Sequence, residues 1–249
     1  MKVAILVPSF NEGPNLPHLL DSLERALIDE PETFNIIIIN DGSSDDTCLV
    51  VSRYLTLRPN TNIAIKMLNL PFNCGVGAAM RTGFLFASRN HFDYAIQVDA
   101  DGQHSPESIA DILEALCYGN DLVIGSRFLG SEPRKTDAHT SRRRSWVLKL
   151  VSMSVSKACA QPISDATSGF RGSNAKLIAL FSEHYPSEYL GDTLDSILLV
   201  KSKGFTIKDI PVQMRPRMSG VRSQNRFRSM LFLSRAMINI AVFSTRRKK

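Results

Sequence analysis

Asp99 and Asp101 stand two residues apart, directly after the apolar run Tyr94 to Val98. Residues i and i+2 of an extended chain point to the same side, so the two carboxylates are able to lie side by side. Like charges that close repel unless something neutralises them, and a hard divalent cation such as Mg²⁺ or Mn²⁺ takes oxygen ligands while bridging to substrate phosphates. Gln103, again two residues on, offers an amide oxygen to the same ion. The plainer alternative is a solvated Asp-Gly turn, and the position after a buried strand weighs against it. His104 reads most simply as a half-exposed loop histidine next to this group. His18, His91, His139 and His184 show no ligand spacing, which gives no support to a histidine metal site or a Ser-His triad.

Three other strand ends carry polar residues: Pro8-Ser9-Phe10-Asn11-Glu12, Asn40-Asp41-Gly42-Ser43 and Asn73-Cys74-Gly75-Val76-Gly77. Asp41 follows a buried strand and precedes a helical pattern, which argues against a hairpin and makes it a candidate for hydrogen bonds to a base or ribose. The Gly75-x-Gly77 pair does not make a dinucleotide fingerprint, because Met80 replaces the third small residue and the pair follows the third strand. A glycine-rich approach to phosphate or ribose at a helix start fits it instead.

The elements that position these ends alternate. Val3 to Val7, Ile36 to Ile39, Ile63 to Met67, Tyr94 to Val98 and Leu122 to Ile124 have strand length. Between them Leu16 to Ile28, Asp46 to Leu57, Ala78 to Ser88 and Glu107 to Leu116 have helical period. Continuous apolar runs such as the four isoleucines at 36 to 39 are buried on both faces, so the expected fold is α/β: a single domain with a mostly parallel twisted sheet and helices on both sides. Ligands of such sheets bind beyond the carboxyl ends of the strands. Ser44 or Asp45 is expected to cap the second helix, and Ser105-Pro106-Glu107 to start the fourth. From about Gly130 to Ser145 a polar loop is expected, carrying Arg142, Arg143 and Arg144.

Composition excludes disorder, since 43% of residues are hydrophobic and 22% charged. The net charge of +6 is uneven: from Lys201 onward thirteen Lys or Arg face Asp209 alone, whereas residues 1 to 200 carry 17 basic and 23 acidic residues. Four scattered cysteines with no C-x-x-C pair, and no signal peptide ahead of Lys2 to Val7, read as a reducing cytoplasm. No run approaches the roughly 20 apolar residues that a spanning helix needs. The boundary of the domain is expected at 1 to 224, with a basic amphipathic tail at 225 to 249. In that tail Arg228, Arg235, Asn239 and Arg246 share one helical face, by offsets of 7, 4 and 7, opposite a wide apolar arc. Such a helix lies on an anionic membrane surface or packs against the domain or a second subunit, forming a homo-oligomer. A nucleic-acid partner is not expected, because no exposed stacking aromatics interleave the basic residues.

The ordered set Pro8-x-Phe10-Asn11-Glu12, Asn40-Asp41-Gly42-Ser43, Asn73-x-Gly75, Asp99-x-Asp101, Gly125-Ser126-Arg127 and Ser168-Gly169-Phe170-Arg171 resembles family 2 glycosyltransferases, particularly the polyprenyl-phosphate mannose or glucose synthase branch. The resemblance runs over residues 3 to 225 and implies a GT-A fold. It implies an inverting hexosyl transfer from a nucleotide-diphosphate sugar, GDP- or UDP-linked, to a polyprenyl phosphate at the cytoplasmic face of a membrane. By this likeness Pro8, Phe10, Asn11, Glu12, Asp41, Gly42, Gly75 and Asp99 would surround the nucleotide, and Asp99, Asp101 and Gln103 would hold Mg²⁺ or Mn²⁺. Arg127, Arg142, Arg143, Arg217 and Ser223 would hold the acceptor phosphate, a task that suits the bidentate arginine fork. A saccharide hydroxyl acceptor, as in cell-surface glycan synthesis, would need a general base, for which Asp192 or Asp195 is the candidate; an ionised phosphate needs none. Taken singly, each of the two acids reads more simply as a helix N-terminal residue facing the dipole. A non-catalytic module that binds nucleotide and membrane is the remaining alternative.

Overall fold

The structure, a computed structural model, describes residues 1–58, 62–129, 142–187, 192–216 and 243, with the backbone alone for 142–147. Alternating apolar runs become the strands β1 (Lys2–Ser9), β2 (Thr33–Asn40), β3 (Ala64–Asn69), β4 (Tyr94–Gln97), β5 (Leu122–Ser126), β6 (Arg171–Asn174) and β7 (Ile207–Pro211). The helices are α1 (Leu16–Leu27), α2 (Thr47–Leu57), α3 (Val76–Arg89), α4 (Ser108–Cys117), α5 (Arg142–Cys159), α6 (Ala175–His184) and α7 (Asp192–Ser202).

The strands form one sheet in the order β3-β2-β1-β4-β6-β5-β7. The pairs β1–β2, β1–β4, β2–β3 and β5–β7 are parallel, while β6 runs antiparallel to both β4 and β5. The expected mostly parallel sheet thus holds with one reversed strand inside it. That strand has no apolar residue to announce it: it reads Arg-Gly-Ser-Asn and is buried along most of its length. Gly172 makes this burial possible, because a Cβ there would lie 2.5 Å from Ile112 Cγ2 and 2.7 Å from Leu116 Cδ1.

Strand residues alternate between two apolar layers. Ala4, Leu6, Ile37 and Ile39 pack with α3, α5, α6 and α7 on one face. Val3, Ile5, Val7, Ile36 and Ile38 pack with α1 and α4 on the other. Phe243, the one described residue of the tail, is half-buried and packs against the first layer. The polar face formed by Arg228, Arg235, Asn239 and Arg246 lies outside the described residues.

Two helix starts differ from expectation. α4 begins at Ser108 rather than at Pro106, because Ser105 donates its hydroxyl to Glu107 (2.5 Å) and the backbone of 105–109 closes tight turns first. α2, by contrast, begins at Thr47, within one residue of expectation, and Asp45 accepts from the Thr47 amide (3.0 Å). Arg142 and Arg143 start α5 rather than closing a loop, and their side chains lie outside the described residues.

Candidate active site

The sheet order reverses direction of growth between β1 and β4, since β2 lies to one side of β1 and β4 to the other. At such a switch point the loops leaving neighbouring strands part and open a crevice. The polar strand ends converge on this rim.

On the β1–β2 side, the backbone at Asn11 is left-handed (φ +56°), which turns its side chain back on the next loop. Its Oδ1 accepts from Ser44 N (2.8 Å) and Asp45 N (3.3 Å), while its amide donates to Ser43 Oγ (2.9 Å). Glu12 closes the start of α1: its carbonyl accepts from Asn15 N and Leu16 N, and its carboxylate accepts from Asn15 Nδ2 (2.5 Å). Pro8 pairs with Ile39 in the sheet, and Phe10 stands exposed above it. Gly42 (φ +64°) has no room for a side chain, because a Cβ would sit 2.6 Å from the Phe72 Cα.

Asp41 is buried, and both its oxygens are engaged: Cys74 N donates to Oδ1 (2.7 Å) and Gly75 N to Oδ2 (2.8 Å). Burial raises its pKa above the usual carboxylate range, and the two amide bonds pull it back. Asp41 therefore braces the loop into α3, where Gly75 (φ +90°) is the N-cap. A carboxylate has about four lone-pair sites, so a ribose contact remains compatible with this brace.

At the end of β4, the Asp99 carboxylate is 39% exposed and receives Gln97 Nε2 (3.2 Å) on Oδ1. It lies against Gly169, where a Cβ would come within 3.0 Å of Oδ2. His104 departs from the half-exposed loop position expected of it. It is 3% exposed, stacks on Phe170 at 4.6 Å, and its Nδ1 accepts the Asp99 amide (3.0 Å). Its Nε2 therefore carries the proton and faces Asp99 Oδ2 at 3.6 Å. Asp101 is half-buried and accepts the Gln103 amide on Oδ1 (3.1 Å). The Gln103 carbonyl in turn accepts from Arg215 N (2.7 Å), and His104 bridges Met214, so the chain leading to Arg217 is stitched beside this turn. Arg217 and Ser223 themselves lie outside the described residues.

No group of three or more His, Cys, Asp or Glu gathers among the described residues. Two carboxylates in hydrogen-bond contact with the chain, one of them well exposed, form an all-oxygen set. That set fits a hard cation which fills its remaining positions with water and substrate phosphate, and not a soft or histidine-bound metal.

The opposite wall joins Arg127, an acceptor-phosphate candidate by its motif, to partners that no sequence pattern linked to it. Arg127 directs its Nε and Nη2 to Asp165 (2.6 and 2.8 Å) and Nη2 to Thr167 Oγ1 (2.8 Å). Asp165 is fully buried, and its partner lies 38 residues away, a separation with no local signature. A phosphate gripping that edge of Arg127 would have to displace Asp165. Tyr185 emerges only from the fold, donating to Asp192 Oδ2 (3.3 Å), and Arg171, quoted in the sequence only as the end of the Ser168–Arg171 motif, is buried there.

Asp192 opens α7 as a buried acid, whereas Asp195 is half-buried one turn on. Burial pushes the Asp192 pKa up to about 6; Arg171 and the Tyr185 hydroxyl draw it down, and Asp99 adds to the rise. A raised carboxyl pKa stabilises the fold fully below the unfolded value near 4, and this contribution is lost as pH climbs through about 6. Two pKa units correspond to about 3 kcal/mol. Asp192→Asn is therefore expected to match the native protein below about pH 4 and to exceed it by about 3 kcal/mol at pH 8. Denaturant melts at both pH values test this, and equal stabilities at pH 8 would contradict it.

Residues 4–181 match the model of the family described as Glycosyl transferase family 2. The chain is 26% identical over 226 residues to the polyprenol monophosphomannose synthase of Mycolicibacterium smegmatis, covering 88% of this chain and 80% of the relative. It is 32% identical over 181 residues to a dolichyl-phosphate beta-glucosyltransferase of Dictyostelium discoideum, covering 68% of this chain and 53% of that one. Among solved structures, glucosyl-3-phosphoglycerate synthase from Mycobacterium tuberculosis, in complex with Mn²⁺, UDP and phosphoglyceric acid, superposes with a TM-score of 0.72 at 15% identity, over 98% of this chain and 78% of that one. A Pyrobaculum calidifontis mannosyltransferase in complex with GDP-Man and Mn²⁺ gives 0.66 at 16% identity, over 98% and 64%. These likenesses establish a GT-A fold.

Proposed function

Since the chain belongs to glycosyl transferase family 2, we propose that it moves a hexose from a nucleotide-diphosphate sugar to a polyprenyl phosphate, with inversion at the anomeric carbon. The chain is a glycosyltransferase with the GT-A fold; donor, acceptor and site roles are the proposed part. The observation that carries the reading is the pair Asp99 and Asp101, at the carboxyl end of β4 beside Gly169. Relatives that act on polyprenol and dolichyl phosphates, and neighbours bound to UDP or GDP-mannose with Mn²⁺, agree with it.

In this reading Asp99 and Asp101, with Gln103, hold Mg²⁺ or Mn²⁺. The cation would neutralise charge growing on the departing nucleotide diphosphate. Gln97 and His104 fix the Asp99 side chain and backbone, so little reorganisation accompanies binding. Phe10 covers the nucleoside, while Asn11, Glu12 and Asp41 hold the two loops that frame it. Arg127, with Arg142, Arg143, Arg217 and Ser223, would hold the lipid phosphate, Arg127 giving up part of its Asp165 contact to do so. The burial of Asp192 under Tyr185 favours a phosphate acceptor over a hydroxyl, because a phosphate attacks without a general base.

Among the described residues no helix is long and apolar enough to cross a membrane. The thirteen basic residues against Asp209 alone beyond position 200 support a peripheral place on an anionic, cytoplasmic membrane face. The domain in this reading is residues 1–224, and the tail 225–249 lies along that surface, held to the domain at Phe243. Co-sedimentation with phosphatidylglycerol vesicles tests this placement, and absence of binding at low salt would refute it.

The transfer itself is tested by incubating the protein with Mn²⁺, radiolabelled UDP-glucose or GDP-mannose, and undecaprenyl phosphate. Label is expected in the lipid phase with one donor. Label that reaches only saccharides would move the acceptor assignment to a hydroxyl, and label in neither would leave the enzyme assignment without its substrates.

A further inference from the structure

We propose that Arg171 is a positioning residue, holding the acceptor-side wall of the cleft in register with Asp99. This rests on the metal and nucleotide reading of Asp99 given above.

A buried guanidinium is expensive, and a well-packed apolar residue in its place often folds as well or better. Arg171 is only 5% exposed, and burial pulls its pKa down while Tyr185, Asp192, Asp165 and Asp209 hold it up. Among the described residues it forms no salt bridge. Nε donates to the Ser168 carbonyl (2.6 Å) and Nη2 to the Ala166 carbonyl (2.8 Å). Nη1 donates to the Thr193 carbonyl (2.7 Å) and Ser196 Oγ (2.9 Å). One side chain thus ties two segments distant in sequence: the loop into β6 and the first turn of α7.

Both segments end at the rim. Ser168 precedes Gly169, whose missing Cβ leaves room for the Asp99 carboxylate at 3.0–3.1 Å. Thr193 follows Asp192, whose Cβ packs 3.3 Å from where a Gly77 Cβ would be, at the start of α3. Across the sheet, Arg171 pairs with Gln97, which donates to the same Asp99 (3.2 Å). Asp99 therefore stands at the meeting point of a donor side, built from β1, β2 and α3, and a second wall whose two pieces share the Arg171 fork. Lysine keeps the charge but not the planar fork, and cannot span both segments with fixed geometry. Misplacement of reacting groups by about 1 Å lowers turnover by about 10²-fold.

The test compares Arg171→Lys and Ser196→Ala with the unaltered protein. Nucleotide affinity is read by calorimetry with Mn²⁺ and UDP or GDP. Turnover is read with undecaprenyl phosphate and the matching nucleotide sugar, and folding by circular dichroism. Arg171→Lys is expected to bind nucleotide within about twofold of the unaltered protein and to lose about 10²-fold in kcat. Ser196→Ala, which removes one of the four bonds, is expected to lose about tenfold, with nucleotide binding again unchanged. A folded Arg171→Lys with kcat within threefold of the unaltered protein overturns the proposal, as does nucleotide affinity that falls in step with kcat. If Arg171→Lys does not fold, Ser196→Ala decides, and full activity there overturns it. Failure of the unaltered protein to bind nucleotide with Mn²⁺ would instead remove the reading of Asp99, and this inference with it.

Discussion

Asp101→Ala is expected to lower metal-dependent transfer by about 10³-fold while leaving the fold intact. Asp101 sits in the turn after β4, outside both apolar layers, and its Oδ1 accepts the Gln103 amide. The bond to Gln103 is worth about 1 kcal/mol of stability. The catalytic loss is larger because a cation held by one carboxylate is both weaker bound and misplaced relative to the diphosphate. A loss of 10³-fold corresponds to about 4 kcal/mol of transition-state stabilisation, the range set by one preorganised electrostatic contact. Chelation of metal from the native protein should bring its rate to the same residual level. Rates measured across a Mn²⁺ titration, with circular dichroism on the same samples, decide the matter; an Asp101→Ala enzyme with undiminished turnover removes the metal role from this residue.

The second large effect concerns stability. Asp165→Asn is expected to destabilise the fold by about 3 kcal/mol, at the lower end of what breaking a buried ion pair costs. The carboxylate is fully buried and accepts the Arg127 fork, the Arg127 amide and Thr167 Oγ1. The Arg127 side chain keeps 33% of its surface in water, which softens the loss. For a chain of this size the melting temperature should fall by about 6–12 °C. A double-mutant cycle with Arg127→Met isolates the pair, with a coupling of about 1–3 kcal/mol expected. A coupling near zero would mean that Arg127 is not held by Asp165 in solution and that its fork is open to other anions.

Much of the rim was legible in the chain because strand ends are local events. The apolar run followed by Asp99-x-Asp101-x-Gln103, and the runs before Pro8–Glu12 and Asn40–Ser43, locate carboxyl ends without knowledge of any partner strand. The first five strands and four helices were legible for the same reason. What patterns could not supply were pairings of buried polar residues: Arg127 with Asp165 and Arg171 with Thr193 and Ser196, 22 to 38 residues apart, and Tyr185 with Asp192 between the end of α6 and the start of α7. Their types look like surface residues until the fold brings their partners. β6 was missed on the same grounds, since Arg171-Gly172-Ser173-Asn174 has strand geometry without strand composition. Asp41 shows a subtler gap: its position at the rim was readable, its grip on the Cys74 and Gly75 amides was not.

The reversed direction of β6 has a consequence for how such a protein changes over time. From forward-running strands, the chain that departs reaches the crevice; from a backward-running one, it is the chain that arrives. The delivering flank is therefore encoded by stretches up to the turn after β4, and the part of the receiving flank that meets Asp99 by the stretch between β5 and α7. Lengthening or rewriting the stretch ahead of Arg171 would remodel the receiving flank without shifting the register of β1, β2 or β4. A new recipient molecule is thereby accessible to this architecture while the delivering flank stays as it is.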